Sequence, residues 1–178
     1  MGLRKGHCYS KTNKRPYTRK SKVKSKSYIK TVPPLKIAKF IMGDINGFNK
    51  NKYPFSVSLI AVEPIQIRDN AIEASRQVIH RHLDKKLKGV FYFAVSAYPH
   101  NVLRENKMLT GAGADRMQTG MQLSFGKPVG IAARIKAGGK IFNVACNKEV
   151  IPVVRKIMAK VKPKFPGKKA IIVEEIKK

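Results

Sequence analysis

A glycine-rich stretch that ends near a Gly-Lys pair is the usual raw material of a phosphate-binding loop. The segment Met108-Leu-Thr-Gly-Ala-Gly-Ala-Asp-Arg-Met-Gln-Thr-Gly-Met121 invites that test. It fails in both forms. Gly111 and Gly113 would need a third glycine at 116 to turn around a pyrophosphate, and Arg116 stands there. Gly126-Lys127 would need a glycine at 121 and a hydroxyl residue at 128, where the chain has Met121 and Pro128. The histidines His7, His80, His82 and His100 show no zinc-ligand spacing with Cys8 or Cys146. His80 and His82, two apart on an expected helix, point in different directions. Only 10 carboxylates are spread over 178 residues, too few to stage an acid and base pair, and Asp115 has Arg116 beside it as its natural partner. No catalytic residue, metal ligand or cofactor is expected. An RNA-modifying enzyme should show a cofactor motif or a perturbed nucleophile, and the sequence offers neither.

Charge gives the positive signal. Against those 10 acids stand 38 Lys and Arg, a formal net charge of +28. Such a chain repels itself unless a polyanion neutralises it, which points to nucleic acid first and an anionic membrane second. No run approaches the ~18 apolar residues of a spanning helix, and no membrane partner is expected. No apolar block follows Met1-Gly2-Leu3-Arg4-Lys5-Gly6, so no secretory signal is expected and the chain should stay in the cytoplasm. Cys8 and Cys146 lie far apart and read as free thiols.

The elements that must position this charge fall into two parts. Residues 1–36 hold twelve Lys or Arg and no acid, the first carboxylate being Asp44. With Pro16, Pro33 and Pro34 and little to bury, they form a basic arm expected to be ordered by its partner. Arg4, Lys5, Lys14, Arg15, Arg19, Lys20, Lys22, Lys24 and Lys26 are its candidate phosphate contacts, joined by Lys127 further on. Tyr17, like Tyr9 and Tyr28, could stack on an unpaired base. Residues 37–178 read as a single domain. Strands are expected around 35–41, over Phe55–Ala61, over Val90–Ala97, at 130–136 and 140–146 about a two-residue hairpin turn, and at Ala170–Val173. Helices are expected over 67–87, with Ile67, Ala71, Ala74, Val78, Ile79 and Leu83 on one face, and over 149–162. The fold class is α+β: two helices packed on a mostly antiparallel or mixed sheet, carrying a basic N-terminal arm and a long Gly/Met-rich internal loop at about 104–121.

That loop and its flanks carry a resemblance. Pro99-His100-Asn101-Val102-Leu103-Arg104, Asn106-Lys107-Met108-Leu109, Gly113-Ala114-Asp115-Arg116-Met117-Gln118-Thr119-Gly120-Met121 and Phe125-Gly126-Lys127-Pro128 resemble the universal large-subunit ribosomal protein L-sixteen family in its archaeal and eukaryotic L-ten-e form. Arg15-Pro16-Tyr17-Thr18 and the Glu73-Ala74 helix fit as well. The resemblance implies an α+β domain set in large-subunit rRNA beside the path of incoming tRNA, with neighbouring ribosomal proteins as further partners and no homo-oligomer. It implies that the loop reaches toward the peptidyl-transferase region, making Arg104, Lys107, Met108, Arg116 and Gln118 candidates for contacting rRNA or tRNA. Met108 and Met117 suit gap filling equally well. A chromatin-like DNA-binding protein would share the charge but leave the loop and the arm tyrosines without a task.

Overall fold

The structure of the chain, a computed structural model, describes residues 5–10, 20–105 and 126–176. In chain order its elements are β1 (Ile41–Gly43), α1 (Ile45–Asn49), β2 (Phe55–Ala61), β3 (Ile65–Arg68), α2 (Asp69–Leu87), β4 (Tyr92–Val95), β5 (Asn101–Glu105), β6 (Lys127–Ile135), β7 (Lys140–Cys146), α3 (Ile151–Val161) and β8 (Lys169–Glu175). They build two antiparallel sheets, one ordered β1-β4-β7-β2-β8 and one ordered β3-β6-β5. The two long helices pack on each other; α2 also lies on β3 and β6, and α3 on β2 and β8. The α+β class expected from the sequence is the one observed, with the short α1 added.

Strand β2 shows why the larger sheet is covered on both sides. Val57 and Leu59 are fully buried in the main core, and Ser58 on the opposite face is fully buried too. That second face is held by hydrogen bonds, Ser56 and Ser58 both donating to Asn143 Oδ1 on β7. The core then closes over Phe93, Phe142, Ile79 and Leu83, each sealed from solvent and each contributing roughly 1.5–3 kcal/mol by its burial.

Helix α2 departs from the expected face in an instructive way. The buried stripe runs Ile72, Ser75, Arg76, Ile79 and Leu83, whereas Ala74 is exposed and Ile67 belongs to β3. Two polar residues hold stripe positions because their groups are satisfied inside. Ser75 Oγ donates to Ala71 O at 2.8 Å, and Arg76 pairs with Glu73 through Nε and Nη2 while Nη1 lies against Met42 Sδ. The same Arg76 guanidinium, the first of its causes, holds the Glu73 carboxyl below the usual carboxylate range. A hydropathy pattern skips both and rotates the face. Lys88, at φ 47°, ends the helix in the left-handed conformation, and Lys85 and Lys86 sit in its last turn, where the helix dipole favours cations.

The segment 127–146 also differs from expectation, because it is no hairpin. β6 pairs with β3 and β5, and β7 with β2 and β4, so the turn between them carries the chain from one sheet to the other. Gly138, at φ +77°, makes that corner possible: its N–H donates to Ala61 O at 2.7 Å while Ala61 N donates to Gly139 O at 3.0 Å. The turn thus docks on the end of β2, from which β3 crosses to the second sheet. An i to i+3 bond and an alternating pattern on either side look the same in sequence whether the strands pair or part.

A small polar knot fixes the opposite end. Asp44 caps α1, accepting from Gly47 N at 2.8 Å with Oδ1 and from the buried Tyr53 hydroxyl at 3.0 Å with Oδ2. The Gly47 amide, then the Tyr53 hydroxyl, hold the Asp44 carboxyl below its ordinary range. Burial first, then the bond to Asp44, pushes the Tyr53 phenol up to about 12. A tyrosine whose folded value lies above its unfolded value near 10 contributes stability that is complete below pH ~10 and is lost as pH rises toward 12. An alkaline absorbance titration should therefore show a tyrosinate phase near pH 12 that Tyr53→Phe removes; a wild-type minus variant phase centred at pH ~10 contradicts it. Gly43 is a separate test: at φ +89° its added Cβ would sit 2.1 Å from Phe91 O. Gly43→Ala should lower stability in urea titration by about 1–3 kcal/mol, and an unchanged midpoint would mean the strand can shift.

Candidate nucleic-acid interface

The arm is fastened to the three-stranded sheet at three places. The first is Tyr9, in the 3-10 turn Gly6–Tyr9: its hydroxyl donates to Glu105 Oε2 at 2.6 Å, and its carbonyl accepts from Gln66 Nε2 at 2.6 Å. Arg68 stacks its guanidinium over the ring at 5.0 Å from the centroid. Gln66 is itself buried and accepts from the buried Asn101 Nδ2 at 2.7 Å, so one polar chain ties β3, β5 and the arm together. The second is Ile29, which buries itself against Val102 and Ile131. The third is Tyr28, whose carbonyl accepts from Arg104 Nη1 at 3.2 Å.

Between these fastenings lies a closed basic loop. Ser21 N donates to Ser27 Oγ at 2.8 Å, and Ser27 Oγ donates back to Ser21 O at 3.0 Å. The ring so formed spans seven residues and holds Lys22, Lys24 and Lys26 in solvent, with Lys20 exposed just before it and a 3-10 turn at Lys24–Lys26. Each pair of ammonium groups ~8 Å apart repels by only about 0.5 kcal/mol in water, so the loop tolerates its charge but gains wherever phosphates replace the neighbouring cations. Five of the ten carboxylates are engaged away from the loop: Asp44 at its cap, Glu73 with Arg76, Glu105 with Tyr9, Glu174 with Lys140 and Glu63 with the Lys168 amide.

The Gly/Met-rich segment leaves and rejoins the same sheet beside this loop. Glu105 and Lys127 face each other across β5 and β6, and Arg104 holds the junction, donating from Nε and Nη2 to Gly126 O at 3.2 and 2.9 Å. Arg104 therefore spends three of its five donors on carbonyls of the arm and of the returning strand. Lys127 is exposed at that base, as is Lys5 near Tyr9. Arg4, Lys14, Arg15, Tyr17, Arg19, Lys107, Met108, Arg116 and Gln118 lie outside the described residues. The residues that converge here and escaped the sequence reading are Gln66, Arg68 and Glu105. Further exposed cations lie on α2, at Arg81, Lys85 and Lys86, and on α3, at Arg155, Lys156 and Lys160; the i, i+4 spacing of Arg81 with Lys85 and of Lys156 with Lys160 was the available signal.

Histidine and cysteine are engaged locally. His82 Nδ1 lies 2.8 Å from Val78 O, His100 Nδ1 lies 3.1 Å from Tyr98 O, and His80 meets Phe91 edge-on. Cys146 is buried, and burial pushes its thiol up to about 11. Among the described residues, no three His, Cys, Asp or Glu side chains gather as a metal site, and no helix is long and apolar enough to cross a membrane.

A family model described as ribosomal protein L16p/L10e matches residues 12–172. The chain belongs to that family. Members of L16p/L10e resemble it over their full length. The large ribosomal subunit protein uL16 of Sulfolobus acidocaldarius is 42% identical over 181 residues, covering 100% of this chain and 97% of its own. Its namesake in Methanococcus aeolicus is 40% identical over 174 residues, 97% of this chain and 95% of that one. That of Thermofilum pendens is 40% identical over 176 residues, 98% and 99% respectively.

For this member of the family, Arg104 offers a direct check on the junction. A lysine keeps the charge but cannot span Tyr28 O and Gly126 O together. Arg104→Lys should cost about 2 kcal/mol in denaturant titration; full retention of stability would mean the three bonds contribute nothing net.

Proposed function

We propose that this chain is a structural constituent of the large ribosomal subunit. In that role it binds large-subunit rRNA with residues 1–36 and presents the segment 104–121 toward tRNA near the peptidyl-transferase region. Membership in the L16p/L10e family and relatives named large ribosomal subunit proteins support the ribosomal role. The observation that carries the finer reading is the convergence on one sheet of the closed lysine loop, the Tyr9 fastening and the base of the 106–125 segment.

The mechanism is electrostatic and positional. Lys20, Lys22, Lys24 and Lys26 take phosphates with release of counterions, and the other arm cations extend the same contact. The domain of residues 37–178 sets the geometry, Arg104 and the β5–β6 pair aim the segment between them, and bond making is left to RNA. Supporting the arrangement of rRNA helices during assembly and the entry of tRNA during translation both follow from that placement. Neighbouring ribosomal proteins complete the surroundings.

Replacing Lys20, Lys22, Lys24 and Lys26 together by alanine should lower the slope of log affinity against log salt for large-subunit rRNA by roughly 3, at ~0.7–0.9 per phosphate contact. Shortening 106–119 should leave that slope unchanged and slow translation or late subunit assembly. Equal loss of rRNA affinity from both changes, or competition by duplex DNA as strong as by rRNA, would sink this division of labour.

A further inference from the structure

Strand β8 ends the larger sheet, and the phase of its ladder is fixed at both ends. Val62 N donates to Lys168 O at 3.0 Å and Ile176 N to Pro54 O at 2.8 Å. In the antiparallel register with β2, this turns the N–H and C=O groups of Ala170, Ile172 and Glu174 inward. Those of Lys169, Ile171, Val173 and Glu175 point outward, along about 20 Å of edge. Among the described residues, no strand or loop backbone pairs with that outer edge. Ile172 and Val173 are each 37% exposed, and the stretch Ala170 to Val173 has neither charge nor proline, the devices that ordinarily keep an edge unpaired.

Between Ala170 and Ile176 the edge carries two carboxylates and no cation, with Lys168 and Lys169 before it and Lys177 and Lys178 after it in sequence. In a chain of net charge +28, Glu174 and Glu175 stand together at its end. Glu174 pairs with Lys140 at 2.6 Å, and Glu175 is exposed with no ion pair among the described residues. A phosphate backbone would meet the uncompensated Glu175 carboxylate here and leave the alternating amides and carbonyls unused. A second copy would bring another +28 against the first. An extended basic peptide meets every demand at once: backbone groups in alternation, apolar side chains for Ile172 and Val173, and a cation for Glu175.

We propose that the outer edge of β8 takes an extended, basic segment of a neighbouring protein of the large subunit as an added strand. The inference rests on the ribosomal reading above and names a partner surface within it. Its test uses the full chain with Ile172 replaced by the photo-crosslinking residue benzoylphenylalanine, expressed in cells, recovered with large subunits by sedimentation and irradiated. The expected result is a cross-link to a Lys- or Arg-rich segment of one other protein. Val173→Pro, made in the same chain, removes an outward N–H and leaves the β2 ladder intact, so the chain should still sediment with the subunit. Its cross-link yield should drop about tenfold. Cross-links to rRNA or to a second copy, no cross-link from a chain that sediments with the subunit, or a yield indifferent to Val173→Pro would each overturn the inference alone. A chain that does not sediment with the large subunit would overturn the ribosomal reading and this inference with it.

Discussion

Like charges held close together cost little pair by pair, yet they accumulate wherever the backbone prevents them from spreading. The Ser21–Ser27 closure does that to Lys22, Lys24 and Lys26, with Lys20 adjoining it and Ile29 sealed under Val102 and Ile131 just beyond. Two serine bonds and one buried isoleucine, all neutral, contribute to that geometry. An anion arriving there finds cations already gathered, and less ordering entropy is lost on binding.

Everything around that loop serves to keep it beside the returning strand. The second sheet exists because the chain turns two corners away from the first, one after β2 and one at Gly138, and both corners share hydrogen bonds through Ala61. On the sheet so placed, Gln66 and Asn101 are buried and paired, which gives the Tyr9 carbonyl a rigid donor. Arg104 then joins arm and junction through carbonyls alone. The main core of Phe93, Phe142, Ile79 and Leu83 supports this from behind, and carries no group that the RNA reading requires.

What the sequence made legible follows from how local the determining interactions are. β2, β7 and the C-terminal limit of α2 could be read because alternation, periodicity and terminal lysines act within a few residues. The face of α2 was misread at Ala74 because Arg76 and Ser75 are satisfied by partners that hydropathy does not see. β3 was absorbed into the helix expectation, since Ile65–Arg68 runs into Asp69 without a turn residue between them. The fastening of Tyr9 to Glu105 spans 96 positions and leaves no local trace, so the arm read from composition as an appendage. Of the candidate contacts, Lys5, Lys20, Lys22, Lys24, Lys26, Arg104 and Lys127 gain positions from the structure. Arg104 among them turns out to hold backbone, a role that charge counting does not distinguish from holding phosphate.

The most direct test of the central claim, that this surplus of positive charge is matched to large-subunit rRNA, is sedimentation of a tagged copy from cell extract through a sucrose gradient. A moderate salt wash and a parallel ribonuclease digestion complete it. The account predicts migration with the large subunit that survives the wash and is abolished by ribonuclease. Recovery on DNA, or as free protein in the untreated gradient, would contradict it.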